Sequence, residues 1–198
     1  KQYRYRVFPQ EVLKHTGYKI IYGSYASTDV YYRKPLTFHT CNPQAPATSF
    51  VMVNDIHGDN KLLEDLMSRC NLTQTDFVLF NGDMLSFINS EDQLFKGFMD
   101  TAVRLFASEI PMYYARGNHE TRGVFATEIQ RYFSPCQEHL YYAFRQGPVY
   151  CIVLDTGEDK PDSDIEYAGI TQYDLYRTEQ SEWLASILES TEYKEAPF

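Results

Sequence analysis

Two hydrophobic rhythms divide this chain. Up to about residue 40, polar and aromatic positions alternate in Tyr3-Arg4-Tyr5-Arg6-Val7, in the run from Tyr18 to Tyr22, and in Leu36-Thr37-Phe38-His39-Thr40. Alternation of period two, rich in Tyr and Val, predicts antiparallel strands with one wet face. Three such strands are too few to close a sandwich core. Residues 1–41 therefore read as the tail of a β-domain or as an appendage to the main one. Asn42-Pro43-Gln44-Ala45-Pro46-Ala47 carries two prolines that disfavour regular structure, so residues 42–48 read as a linker.

From Ser49 the rhythm becomes strand, turn, helix. Ser49-Phe50-Val51-Met52-Val53, Phe77-Val78-Leu79-Phe80 and Met112-Tyr113-Tyr114-Ala115 are short buried strands. Each runs into a polar turn: Asn54-Asp55-Ile56-His57-Gly58-Asp59, Asn81-Gly82-Asp83 and Arg116-Gly117-Asn118-His119-Glu120. Between them, 61–69 puts Leu62, Leu63, Leu66 and Met67 on one helical face. Ser90-Glu91-Asp92-Gln93 has capping-box spacing and opens a helix to about Ala107, with Leu94, Phe95, Phe98, Met99, Ala102, Val103 and Phe106 turned inward. A short helix follows to Phe133. Tyr141–Phe144 and Val149–Leu154 flank Arg145-Gln146-Gly147-Pro148, a hairpin by its turn chemistry. After a polar loop from Asp155 to Asp174, Thr178 caps a last helix that faces Trp183, Leu184, Ile187 and Leu188 inward, and another strand is due at Pro197-Phe198. Residues 49–198 thus form successive βα units of an α/β fold.

Composition adds limits. The 198 residues suffice for one good-sized domain, or one domain and part of another, and 43% hydrophobic with 23% charged residues reads as globular and soluble. No apolar run approaches the roughly 18 residues of a membrane span. Lys1 stands where an initiator Met or a signal peptide would, so the start reads as processed or trimmed. The net charge of −9 argues against nucleic acid as a main partner. It suits a protein that holds divalent cations, and equally an acidic solvated surface. Cys41, Cys70, Cys136 and Cys151 show no zinc-site spacing, and Cys151, inside an apolar run, reads as a buried thiol.

The three turns carry the candidate chemistry. They place Asp55 and His57, then Asp83, then Asn118 and His119 at the carboxyl ends of strands, the edge where open α/β sheets bind ligands. Taken singly, Asp55, Asp83 and Asn118 are ordinary turn formers or helix caps. Three in register, joined by two histidines, read as a metal site. Carboxylate, imidazole and amide oxygen suit Mn, Fe, Zn or Mg. Gly58, Gly82 and Gly117 beside them permit tight turns. Arg116 and Arg122 are candidates for phosphate contact or for structural pairing. Asp59 and Asn60 read as a helix cap, Glu120 as support for the ligands, Asp155 as a loop anchor, and His15, His39 and His139 as ordinary strand or surface residues.

Asp55-x-His57, Gly82-Asp83 and Gly117-Asn118-His119-Glu120, in this order and at these intervals, resemble the calcineurin-like metallophosphoesterase family. The resemblance implies a four-layer α/β sandwich with a two-metal site at the strand ends. It implies Asp55 and His57 on a first ion, Asp83 bridging, and Asn118 on a second. It places His119 beside the substrate as the catalytic residue, with Asn118, His119 and Arg122 contacting a phosphate ester and a metal-bridging hydroxide as nucleophile. Hydrolysis of phosphomonoesters or phosphodiesters with two divalent ions is the implied activity. A non-catalytic metal-binding or interaction protein on the same scaffold is the alternative.

Tyr141-Tyr142-Ala143-Phe144, Gly147-Pro148-Val149, Leu154-Asp155-Thr156 and Gln180-x-x-Trp183-Leu184 further resemble bacterial relatives of purple acid phosphatases. Those carry an amino-terminal fibronectin-like domain ending in Phe-x-Thr, which Phe38-His39-Thr40 would match, and a periplasmic or extracellular location is implied by this likeness alone. Two departures stand out. Ser86 occupies the position of the tyrosine that colours purple acid phosphatases, and His57 appears where they have no histidine, so a colourless site is implied. The family's later strand-end His and Gly-His-x-His segment have no counterpart here. The resemblance therefore implies an incomplete metallophosphoesterase domain, lacking carboxyl-terminal ligands and inactive alone.

Overall fold

A computed structural model describes residues 1–25, 29–133 and 139–198. Cys136 and the end of the region expected to be helical near Phe133 lie at or beyond the edge of the described residues.

The amino-terminal alternation gives two separate antiparallel ribbons. β1 (Gln2–Tyr5) pairs with β4 (Leu36–His39), and β2 (Gln10–Thr16) pairs with β3 (Lys19–Tyr25). The strand Gln10–Thr16 carries no alternation in sequence, Val12 and Leu13 being adjacent; its pairing is interrupted by register shifts and it is exposed throughout. The β1–β4 ribbon is sewn to the main body by polar contacts. Thr37 donates its amide and hydroxyl to Glu109 Oε1 at 2.8 and 2.9 Å, and the Tyr5 hydroxyl donates to the Ser108 carbonyl. The 42–48 segment lacks regular structure but is pinned to the turn at Gly147: the Asn42 amide reaches Gln146 Oε1 at 3.0 Å, and Thr48 Oγ1 reaches the Gln146 carbonyl at 2.6 Å.

The main body is built on a parallel sheet, β5 (Phe50–Val53), β6 (Phe77–Asn81) and β7 (Met112–Ala115), in that order. Side chains alternate between its faces. Val78, Phe80 and Tyr114 meet the helices Asn60–Met67 and 91–107, which contribute Leu63, Met67, Leu94, Phe98, Ala102 and Phe106 to one core. Phe77, Tyr113 and Ala115 face the antiparallel hairpin of β8 (Tyr142–Gln146) and β9 (Val149–Val153). There Phe144 stacks on Tyr113 with centroids 3.7 Å apart, and the Tyr142 hydroxyl both accepts from the Tyr114 amide and donates to its carbonyl. The helix Tyr173–Glu189 reaches the hairpin through Trp183 against Tyr141 and Gln180 against Asp155. Helices, the parallel sheet and the hairpin are thus stacked in successive layers.

Several expectations are corrected. Val103 is 51% exposed, because the 91–107 helix widens into π turns at Phe95–Met99 and Val103–Ala107. Its buried positions therefore step by four (Leu94, Phe98, Ala102, Phe106), without the drift of a regular 3.6-residue turn. Leu62 and Leu66 stand at the rim of their helix face while Leu63 and Met67 are buried. The last helix starts at Tyr173, ahead of Thr178, whose hydroxyl donates to the Asp174 carbonyl within the helix. Its first amides are instead received by Asp162, which accepts from Tyr173 and Asp174 at 2.9 Å each. Along that helix Trp183, Leu184 and Ile187 are half-buried, and Leu188 is exposed.

Candidate metal centre

The first two turns leave the sheet as a continued ladder. The Asp55 amide donates to the Gly82 carbonyl at 3.2 Å, His57 to Asp83 at 3.0 Å, and Gly58 to Met84 at 2.8 Å. Asp55, His57 and Asp83 all sit at positive φ (56°, 51° and 55°), a region that costs an L-residue about 1–2 kcal/mol. Three strained residues in a row of candidate ligands is the pattern of a site whose surroundings over-determine its backbone. The second and third turns touch through bare backbone. A Cβ on Gly82 would come within 2.8 Å of Gly117 Cα, and one on Gly117 within 2.1 Å of Asp83 Oδ1. Glu120 locks them together. Fully buried, its carboxylate accepts from the amides of Asp83, Leu85 and Gly117 at 2.8–3.0 Å. Burial raises its pKa, against the three amides that favour the charged form.

The donors of His57, Asp83 and His119 all lie within 4.8 Å of one another. Ligands at about 2.0–2.2 Å from one ion stand at most roughly 4.4 Å apart, so a contraction of a few tenths of an ångström would close the three on a cation. Asp83 Oδ1 already accepts from the His119 amide at 3.2 Å. Asp55 joins through His57, its Oδ1 3.9 Å from Nε2, while its other oxygen accepts from the Asn54 side chain. Two imidazoles, two carboxylates and the neighbouring Asn118 amide fit borderline and hard divalent ions. The His57 and His119 rings meet edge to face, with centroids 4.8 Å apart. His57 Nδ1 lies 3.1 Å from Ser86 Oγ, and His119 Nδ1 lies 3.1 Å from the Ser86 carbonyl.

A second layer comes from the loop after β9. Glu158, nearly buried, receives Arg122 through Nε at 2.7 Å and a second nitrogen at 2.9 Å, the Thr121 hydroxyl at 3.1 Å and the Asn118 amide nitrogen at 3.4 Å. Arg122 foremost among these holds its carboxyl down at about 2. Arg122 keeps one guanidinium nitrogen, 3.3 Å from His119 Nδ1, outside that pairing. Arg116 is differently placed. It pairs with the fully buried Asp155 (2.8 and 3.2 Å), which also binds the amide of Gly157 and the hydroxyl of Tyr176. Its guanidinium is therefore engaged in holding the loop. Beside the centre a groove of about 530 Å³ opens, lined by His57, Ser86, Phe87, Gln93 and Lys96 among others.

Of the residues singled out from sequence, the structure brings together His57, Asp83 and His119, with Asp55 adjoining, Asn118 tied to Glu158, and Arg122 beside His119. His139 is at the surface, 3.7 Å from Glu179 and stacked on Tyr141. Sequence reasoning missed Glu158, whose only signal is an acid three residues after the anchoring Asp155. It also gave Ser86 no role.

The family model for calcineurin-like phosphoesterases matches residues 48–196. The chain belongs to the calcineurin-like phosphoesterase family. The match starts at the end of the 42–48 segment and takes in all three turns, the hairpin and the last long helix. Among solved structures, a purple acid phosphatase from yellow lupin (Lupinus luteus) seeds is similar, with 18% identity and a TM-score of 0.49. The likeness covers 69% of this phosphoesterase chain and 29% of the lupin chain. No curated protein matches in sequence. Among the described residues, no helix is long and apolar enough to cross a membrane.

Proposed function

We propose that this phosphoesterase chain contributes to a two-metal site that hydrolyses phosphomonoesters or phosphodiesters. The observation that carries the reading is the convergence of His57, Asp83 and His119 at the strand ends, with strained backbone at Asp55, His57 and Asp83. Asp55 and His57 would hold one divalent ion, Asp83 would be shared, and Asn118 would serve a second. When bound, such ions supply a water of lowered pKa and positive charge for the phosphate oxygens.

The chain's own residues then have distinct tasks. His119 Nδ1 lies within hydrogen-bond distance of the Ser86 carbonyl. A carbonyl only accepts and a guanidinium only donates; the carbonyl is the nearer to Nδ1 (3.1 against 3.3 Å for Arg122), and with it as partner Nδ1 carries the ring proton and Nε2 is left for the substrate side, where it can exchange a proton with the leaving oxygen. Arg122, held in a fixed plane by Glu158, offers its remaining nitrogen to a phosphate oxygen. Glu120 keeps Asp83 and His119 in register through the backbone rather than through chemistry. The ribbons at 1–41 read as the tail of a fibronectin-like domain, supported by Phe38-His39-Thr40 and the segment that follows.

The test is turnover of an aryl phosphate with Mn²⁺ by the full-length protein, compared with Asp83→Asn. Loss of a shared carboxylate should lower kcat by about 10²-fold or more. Unchanged turnover would remove Asp83 from the centre.

A further inference from the structure

Ser86 touches the imidazole rings of both histidines of the centre, whereas Asp83 meets them through their backbone amides. Its hydroxyl lies 3.1 Å from His57 Nδ1, and its carbonyl lies 3.1 Å from His119 Nδ1. We propose that Ser86 is the positioning residue of this centre, setting the ring orientation of both histidines so that His57 presents Nε2 to a metal ion and His119 presents Nε2 to the substrate. The proposal rests on the metal-site reading above and adds the element that aims its imidazoles.

The argument begins with the rigidity of the loop. On the amino-terminal side of Ser86, Glu120 holds the amides of Asp83 and Leu85, and the Met84 carbonyl accepts from the Gly58 amide at 2.8 Å, completing the link to the first turn. On the other side, the Ile88 amide reaches the Arg122 carbonyl at 2.8 Å, and the Phe125 amide reaches the Ile88 carbonyl at 3.0 Å. Met84, Leu85 and Ile88 are buried in the main core. Ser86 therefore sits on a short span fixed at both ends, its carbonyl is fixed with it, and its hydroxyl is held by His57 Nδ1.

The chemistry follows from donor counting. A histidine that ligates through one ring nitrogen needs a partner on the other, and that partner sets its tautomer and aim. Carboxylates and backbone carbonyls usually take this place. Here one residue serves two rings, by a carbonyl for His119 and a hydroxyl for His57. The hydroxyl can accept from Nδ1–H when Nε2 is engaged, and it can donate to Nδ1 when it is not. The two tethers respond differently to substitution. Removing the Ser86 side chain releases His57 and leaves the carbonyl on His119.

That asymmetry gives the test, made on metal-free protein and then with Zn²⁺. Long-range proton–nitrogen NMR of the imidazoles reads the tautomer of each histidine, and calorimetry reads Zn²⁺ affinity, in the parent, Ser86→Ala, Ser86→Thr and His57→Ala. In Ser86→Ala the His57 signals should shift toward a mixed tautomer while His119 keeps its Nδ1–H form. Zn²⁺ affinity should fall by about 10–100-fold, the usual cost of removing such a partner. Ser86→Thr retains the hydroxyl and should restore both readouts, which also separates the effect from a loss of fold. Unchanged His57 signals in Ser86→Ala overturn the proposal. So does a joint shift of both histidines, which would show that loop geometry rather than the hydroxyl sets His57. If His57→Ala binds Zn²⁺ like the parent, the metal-site reading fails, while the NMR comparison still decides the role of Ser86.

Discussion

His57 at φ 51° is a place where function and stability should oppose each other measurably. In metal-free protein its side chain gives the fold a bond to Ser86 and an edge contact with His119, and it is itself 37% exposed. His57→Ala removes those contacts and keeps a Cβ in the left-handed region. His57→Gly removes the same contacts and the strain. The difference between the two variants therefore isolates the backbone. Left-handed φ costs an L-residue about 1–2 kcal/mol. Glycine's greater freedom in the unfolded chain takes back about 0.4–1 kcal/mol. At the middle of these ranges the Gly variant should thus be more stable than the Ala variant by about 0.8 kcal/mol, or about 2–3 °C in Tm for a chain of this size. Urea and thermal denaturation in the presence of a chelator would measure it. Equal stabilities, or a more stable Ala variant, would refute the claim that the first turn is held under strain. With Zn²⁺ added the order of merit should change: only the parent should gain Tm, because both variants lack the imidazole.

Other outcomes follow from single contacts. Gly117→Ala drives a Cβ to 2.1 Å from Asp83 Oδ1, so it should reduce Zn²⁺ binding by at least tenfold in calorimetry, and more than Gly169→Ala perturbs it, since nothing lies within 4 Å of that exposed glycine. Glu158→Ala leaves Arg122, Thr121 and Asn118 without their shared acceptor and should cost about 1–3 kcal/mol in urea unfolding, while Glu158→Gln, which keeps the shape, should cost less. Tyr142 is pushed up to about 12, chiefly by burial. Its unfolded pKa is about 10, so the stability held by the neutral phenol is complete below pH 10 and is lost as pH rises through 12. Alkaline unfolding that Tyr142→Phe leaves just as steep between those limits would count against it.

How much of this was legible in the sequence depends on the range of the interaction. The three strands and their polar turns were legible because each strand is a short apolar run and each turn follows within a few residues. The donor types at Asp55, His57, Asp83, Asn118 and His119 were visible for the same reason. What the local pattern could not carry is contact between segments. Nothing around Tyr173 announces that Asp162 will receive its amide, so the sequence pattern puts the helix cap six residues late, at Thr178 instead of Gln172. Nothing near Glu158 announces Arg122, thirty-six residues earlier. The helix at 91–107 shows the limit in another form: its capping box is local and was found, whereas its π turns displace Val103 from the core in a way that a 3.6-residue pattern cannot anticipate.

The same distinction explains why the centre reads as a unit only in three dimensions. Sequence supplies ligands as separate strand-end residues, each individually compatible with a turn or a cap. The structure adds the groups that make them act together, and these are backbone groups or neighbours of other turns. Glu120 binds amides of the second and third turns, Gly82 and Gly117 let those turns touch, and Ser86 meets a histidine from the first and one from the third. Each of these works by position rather than by residue type, since a serine or a glycine after a strand has many ordinary uses. Substitutions that preserve every candidate ligand yet alter Glu120, Gly117 or Ser86 should therefore damage metal binding nearly as much as loss of a ligand. That is the sense in which the centre is a property of how three turns are clamped and not of five side chains alone.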